Sequence, residues 1–99
     1  MQIIPEMILM DKVVKSIEKS FDGFMVRYVL YKRTEKSFED GAPRPCYSLS
    51  VEKTDGKGSD RAYANDISSI GAEASKIFDL IVRNDVTPVS LWDVIEDNS

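Results

Sequence analysis

Residues 24–31 alternate with a period of two and are apolar on both sides of the alternation. Phe24, Val26, Tyr28 and Leu30 fall on one face; Met25, Val29 and Tyr31 fall on the other, with Arg27 among them. β-Branched and aromatic side chains at this density suit a pleated backbone, so residues 24–34 read as the strongest strand of the chain. A strand that is apolar on both sides needs cover on both sides, and the rest of the sequence must supply it or leave it to a partner.

The remaining segments supply part of it. Tyr47, Leu49 and Val51 alternate with Ser48, Ser50 and Glu52, which predicts a half-buried strand over 46–54 with one wet face. Asp55-Gly56-Lys57-Gly58 is a hairpin turn, and residues 60–65, with Ala62 and Tyr63, return as a strand. Residues 35–45 are polar, contain Gly41, Pro43 and Pro45, and read as a long hairpin loop. Asp22-Gly23 reads as a turn, preceded over residues 2–19 by a strand or by a strand and a bend.

After residue 68 the period changes to helical. Ile70, Ala74, Ile77, Phe78 and Ile81 mark a helix over about 70–84, capped by Ser68 or Ser69, with Lys76, Asp79 and Arg83 as a solvated ion ladder. Asn84-Asp85 ends it. Thr87-Pro88 starts a second helix, with threonine as N-cap and proline at the first helical position, and Leu91, Trp92, Val94 and Ile95 form its buried side. The expected fold is α+β: an antiparallel meander sheet of about four strands with two C-terminal helices packed on one face. At 99 residues, 42% hydrophobic and 30% charged, residues 1–99 read as a single domain with a single core.

Composition removes several chemistries. There is no histidine, which excludes Ser-His-Asp and Cys-His catalysis and the usual zinc ligand sets. The single cysteine, Cys46, forms no intramolecular disulfide, reads as a small buried hydrophobe, and fits a reducing, cytoplasmic location. Met7-Ile8-Leu9-Met10 is too short for a secretory core and is flanked by Glu6 and Asp11. No segment is long enough to cross a bilayer, so no membrane association is expected. The net charge is −4: residues 1–50 carry 8 basic and 7 acidic side chains, residues 51–99 carry 5 and 10. The one basic stripe, Lys32, Arg33, Lys36 and Arg44, is interrupted by Glu35, Glu39 and Asp40, which argues against nucleic acid as a partner.

The C-terminal part resembles a known family. Asp66-Ile67-Ser68, the amphipathic helix, Asn84, Val86-Thr87-Pro88-Val89, Leu91 and Asp93-Val94-Ile95-Glu96-Asp97 are similar to short proteins of anaerobic Gram-positive bacteria that share a domain of unknown function. Tyr47-Ser48-Leu49 is similar too, so the resemblance covers roughly residues 45–97. It implies no activity, cofactor or ligand.

Few residues stand out as chemical candidates. Asp93, Glu96 and Asp97 share one face of the last helix and oppose its macrodipole, which points to a solvated face, a basic partner surface or a hard cation. Ser16-Ile17-Glu18-Lys19 and Ser50-Val51-Glu52-Lys53 lack the companion motifs of a serine acylase. Gly56-Lys57-Gly58-Ser59 lacks the spacing of a phosphate loop. No catalytic, cofactor-binding or metal-binding residue is assigned, and no cofactor is expected. The sequence favours a non-catalytic protein-interaction or regulatory module. Its partner, another protein or a second copy in a homodimer, would dock on the face of Met25, Val29 and Tyr31, helped by residues 7–10, with Asp93, Glu96 and Asp97 as a further contact. The alternative is a small-ligand-binding or minor enzymatic domain using carboxylates and tyrosines in a cleft between sheet and helices.

Overall fold

The computed structural model describes residues 11–36 and 43–97. Four strands come first: β1 (Asp11–Phe21), β2 (Phe24–Lys36), β3 (Pro43–Asp55) and β4 (Gly58–Ser68). They form one antiparallel sheet in the order β1-β2-β3-β4. Helix α1 (Gly71–Arg83), a 3-10 turn (Pro88–Ser90) and helix α2 (Leu91–Asp97) follow. This is the α+β meander with two C-terminal helices expected from the sequence.

Two tight turns set the outer registers. Phe21 pairs with Phe24 across Asp22-Gly23, where Gly23 takes the positive φ of 91° that a side chain resists. The two rings stack with centroids 4.8 Å apart. Asp55 pairs with Gly58, and its Oδ1 accepts the backbone N–H groups of Lys57 (2.8 Å) and Gly58 (3.0 Å), so the turn carries its own cap. The connection between β2 and β3 is shorter than the 35–45 loop read from the sequence, because β2 runs on to Lys36 and β3 begins at Pro43. Prolines are tolerated there because pairing with β4 begins only at Tyr47. Before that residue β3 is an edge strand on its outer side, where a missing N–H breaks no ladder.

One face of the sheet carries the core. Val26, Tyr28 and Leu30 of β2, Leu49 and Val51 of β3 and Ala64 of β4 pack against Ala74, Phe78 and Ile81 of α1 and against Val86, Leu91 and Ile95. The edge strand β1 turns Lys15, Ile17 and Lys19 toward this side, opposite Leu30, Tyr28 and Val26. The lysines reach past the core to the helix. Lys15 Nζ donates to Ser75 Oγ (2.6 Å) and Asp79 Oδ1 (3.3 Å) and lies 5.8 Å from the Phe78 ring centroid. Asp79 is therefore tied to β1, not one rung of a solvated ladder with Lys76 and Arg83. Charges directed inward from an edge strand also make it a poor template for further strand addition.

The ends of α1 differ from expectation at one terminus. The N-cap position is Ile70, with no side-chain cap. Ser68 Oγ instead accepts the Ile70 N–H (2.9 Å), closing a local turn two residues ahead of the N-cap position. At the C-terminus Asn84 is followed by Asp85 at φ 53°. The Asp85 N–H bonds to Val82 O and the Val86 N–H to Ile81 O, and Val86 and Ile81 are both buried. That is a Schellman ending with its hydrophobic contact, held by aspartate in the place glycine usually takes.

The second helix starts as a single 3-10 turn after Thr87, with Pro88 at its first position and no side-chain cap. Leu91 and Ile95 are buried, whereas Trp92 is 49% exposed. A seven-residue helix has one buried stripe, which Leu91 and Ile95, four apart, fill together with the half-buried Val94.

Candidate functional site

The helices occupy one face of the sheet, so the other face, called the outer face here, holds Met25, Val29 and Tyr31 as the alternation predicts. Its rows follow from the register. Glu18 of β1, Arg27 of β2, Glu52 of β3 and Arg61 of β4 are successive cross-strand neighbours, forming a belt of alternating charge across all four strands. Arg27 donates to Glu18 Oε2 through Nε (2.9 Å) and Nη2 (2.6 Å), and Arg61 Nη2 lies 3.5 Å from Glu52 Oε2. The carboxylates of Glu18, first, and Glu52 hold the Arg27 guanidinium above its ordinary pKa.

On one side of the belt lies the row Ser20, Met25, Thr54, Ser59; on the other lies Ser16, Val29, Ser50, Tyr63, followed by Val13, Tyr31 and Ser48. Tyr31 and Tyr63 stand on the strands flanking β3, and their rings approach to 6.0 Å between centroids. Ser48 and Ser50 lie on the strand between them and are buried, so this part of β3 is not the wet face its serines imply. Each serine stands directly opposite one of the tyrosines, Ser48 beside Tyr31 and Ser50 beside Tyr63. Met25 and Tyr63 remain 37% and 39% exposed. The outer face is thus less apolar than β2 alone implies, since β1, β3 and β4 contribute hydroxyls and charges.

The other candidate residues are dispersed. Asp93 and Glu96 sit exposed on α2 with Asp97, and no group of three potential ligands capable of holding a metal ion forms among the described residues. In each Ser-x-x-Lys string the serine and lysine lie three apart on a strand, so they point to opposite faces. Lys32 and Arg33 are consecutive on β2 and likewise diverge, which splits the basic stripe. Cys46 is half-buried, not buried, and its thiol donates to the Asp66 carboxylate at the β4 bulge, where Asp66 has φ 56°. Residues 7–10, expected to assist docking, lie outside the described residues.

Between sheet and helices the polar groups serve the fold. Tyr28 is fully buried and its hydroxyl donates to Val86 O (3.0 Å). Burial, aided by the nearby Asp85 carboxylate, pushes its phenol up to about 12. Lys19 Nζ donates to Val82 O (2.6 Å) and Asp85 Oδ1 (2.6 Å), placing a cation where the dipole of α1 ends. One open depression lies on the β3–β4 hairpin beside Lys53, Asp55 and Lys57, another on the solvent side of α1 between Lys76, Ile77, Leu80 and Arg83. Neither contains Tyr28. No helix among the described residues is long and apolar enough to cross a membrane.

The sequence reading missed the charged belt, because the belt exists only once all three registers are known. The two tight turns carried the signal for two of them.

The model of a family of unknown function, DUF6514, matches residues 7–98. The chain belongs to that family, and the match reaches well beyond the 45–97 segment that carries the resemblance. No curated protein and no solved structure matches the chain significantly.

Proposed function

We propose that this member of the family is a non-catalytic protein-interaction or regulatory module, a single domain acting in the cytosol of a Gram-positive anaerobe, with the outer sheet face as its docking surface. One observation carries the reading: an accessible, alternately charged belt is flanked by Met25 on one side and by the Tyr31–Tyr63 pair on the other. Aromatic and methionine side chains beside satisfied arginines are the composition of protein-binding surfaces. The polar groups on the helical side are engaged in holding α1 to the sheet, as Lys15, Lys19 and Tyr28 show, which leaves the outer face as the better candidate surface.

Photo-crosslinking tests this. A benzoylphenylalanine replacing Met25, expressed in the native cell, is expected to give covalent protein adducts. The same group replacing Arg83, on the solvent side of α1, is expected to give none. Adducts at position 83 and none at position 25 would overturn the reading.

A further inference from the structure

The belt has a symmetry property that selects an occupant. Read across the sheet it runs Glu18, Arg27, Glu52, Arg61. Read in reverse, every glutamate meets an arginine. A two-fold axis lying along the strand direction between β2 and β3 performs this reversal when two copies stack outer face to outer face. It sets Glu18 against Arg61 of the second copy, and Arg27 against Glu52 of the second copy. The perpendicular in-plane axis sets each residue against itself, glutamate on glutamate and arginine on arginine. The belt therefore favours one two-fold and opposes the other. Stacked sheets with strands nearly aligned are the ordinary geometry of face-to-face packing, and two-fold pairs are the commonest assemblies.

We infer that the outer face takes a second copy of this chain, in a two-fold dimer whose axis runs along the strands and matches the two charge belts in reverse order. This rests on reading that face as a docking surface.

The belt side chains are accessible, with side-chain exposures of 45% for Glu18, 52% for Arg27, 25% for Glu52 and 64% for Arg61. Met25 on one flank and the Tyr31–Tyr63 pair on the other add apolar area. Four strands ~4.8 Å apart and about eight residues long present roughly 500 Å² per copy. Two copies then bury about 1,000 Å², the lower bound for a specific interface, which implies a dimer of micromolar affinity. The belt is neutral in a chain of net charge −4, so it meets a copy of itself without the repulsion the whole molecule carries at longer range.

Two single variants and their mixture test the arrangement. Arg27→Glu sets a new carboxylate against Glu52 of the second copy, twice by symmetry. Glu52→Arg sets a new guanidinium against Arg27 of the second copy, also twice. Either alone is expected to weaken dimerisation roughly a hundredfold. Mixed, the two variants restore opposite charges at all four belt contacts, so a heterodimer is expected to form. Sedimentation velocity and native mass spectrometry read this directly: twice 11.2 kDa for the native chain, 11.2 kDa for each variant, and a mixed dimer on combination. Circular dichroism checks that each variant folds; should one fail, Met25→Lys reads the same interface. A native chain of 11.2 kDa at millimolar concentration overturns the inference, as does a dimer that Arg27→Glu leaves intact. In the cell, adducts from position 25 with some other protein only would overturn the dimer while leaving the docking face standing. The absence of any adduct would remove both.

Discussion

Tyr28 joins sheet and helices through one hydroxyl, and its removal has a pH signature that can be worked out. The phenol is fully buried and donates to Val86 O at the end of α1. Tyr28→Phe leaves that carbonyl without its partner, at a cost of about 1–2 kcal/mol near neutrality. The native phenol titrates at about 12, against an ordinary value of 10.0. A pKa raised in the folded state means that the folded chain holds its proton while the unfolded chain releases it. The associated stability is complete below pH 10 and is lost as the pH climbs toward 12. The two-unit difference corresponds to about 2.7 kcal/mol, half of it gone by about pH 11. The phenylalanine variant has no such loss. Urea unfolding followed by circular dichroism should therefore show the native protein ahead by about 1–2 kcal/mol at about pH 8, level with the variant near pH 11, and behind it above that. Parallel stability curves from pH 8 to 12 would refute the placement of Tyr28 as a buried, proton-holding donor.

Lys19→Met removes the cation that bonds Val82 O and Asp85 at the C-terminus of α1, and should lower stability by about 1–2 kcal/mol in thermal unfolding; an unchanged melting temperature would contradict that role. A Cβ on Gly71 would stand 2.9 Å from the Tyr47 hydroxyl oxygen but 3.4 Å from the ring carbon that bears it. Gly71→Ala should thus destabilise the native chain yet be neutral or stabilising beside Tyr47→Phe, a coupling of about 1 kcal/mol in a double-mutant cycle. Leu91→Ala should cost about 2–4 kcal/mol and Trp92→Ala under about 1 kcal/mol, and equal losses in chemical denaturation would mean that α2 is turned differently.

How much of this was legible depended on how local the information was. Residues 2–19 read only as a strand or as a strand and a bend, whereas strands β2, β3 and β4, the break at Asp22-Gly23 and the turn at Gly56-Lys57 follow from alternation and turn chemistry, both written in neighbouring residues. So does the division of β2 into a Val26-Tyr28-Leu30 face and a Met25-Val29-Tyr31 face. The failures lie where a neighbour from another strand decides. Ser48 and Ser50 look solvent-facing in sequence and are buried, their cross-strand neighbours being Tyr31 of β2 and Tyr63 of β4. Asp79 looks like a partner for Lys76 and Arg83 and is bonded to Lys15, 64 residues away. Two-residue turns fix the β1–β2 and β3–β4 registers, so the pairs Glu18–Arg27 and Glu52–Arg61 were implicit in the chain. The β2–β3 register, which aligns Arg27 with Glu52, follows from no such turn, and without it the belt is two unrelated ion pairs.

Concentration-dependent amide shifts give the most direct test of the outer face as the docking surface. Proton–nitrogen spectra of the native chain at about 20 µM and about 1 mM bracket the micromolar affinity expected for an interface of this size. The account predicts shifts concentrated at Glu18, Met25, Arg27, Glu52, Arg61 and Tyr63, with Lys76 and Arg83 on the far side of α1 unmoved. Identical spectra at the two concentrations, or shifts confined to the helices, would contradict it.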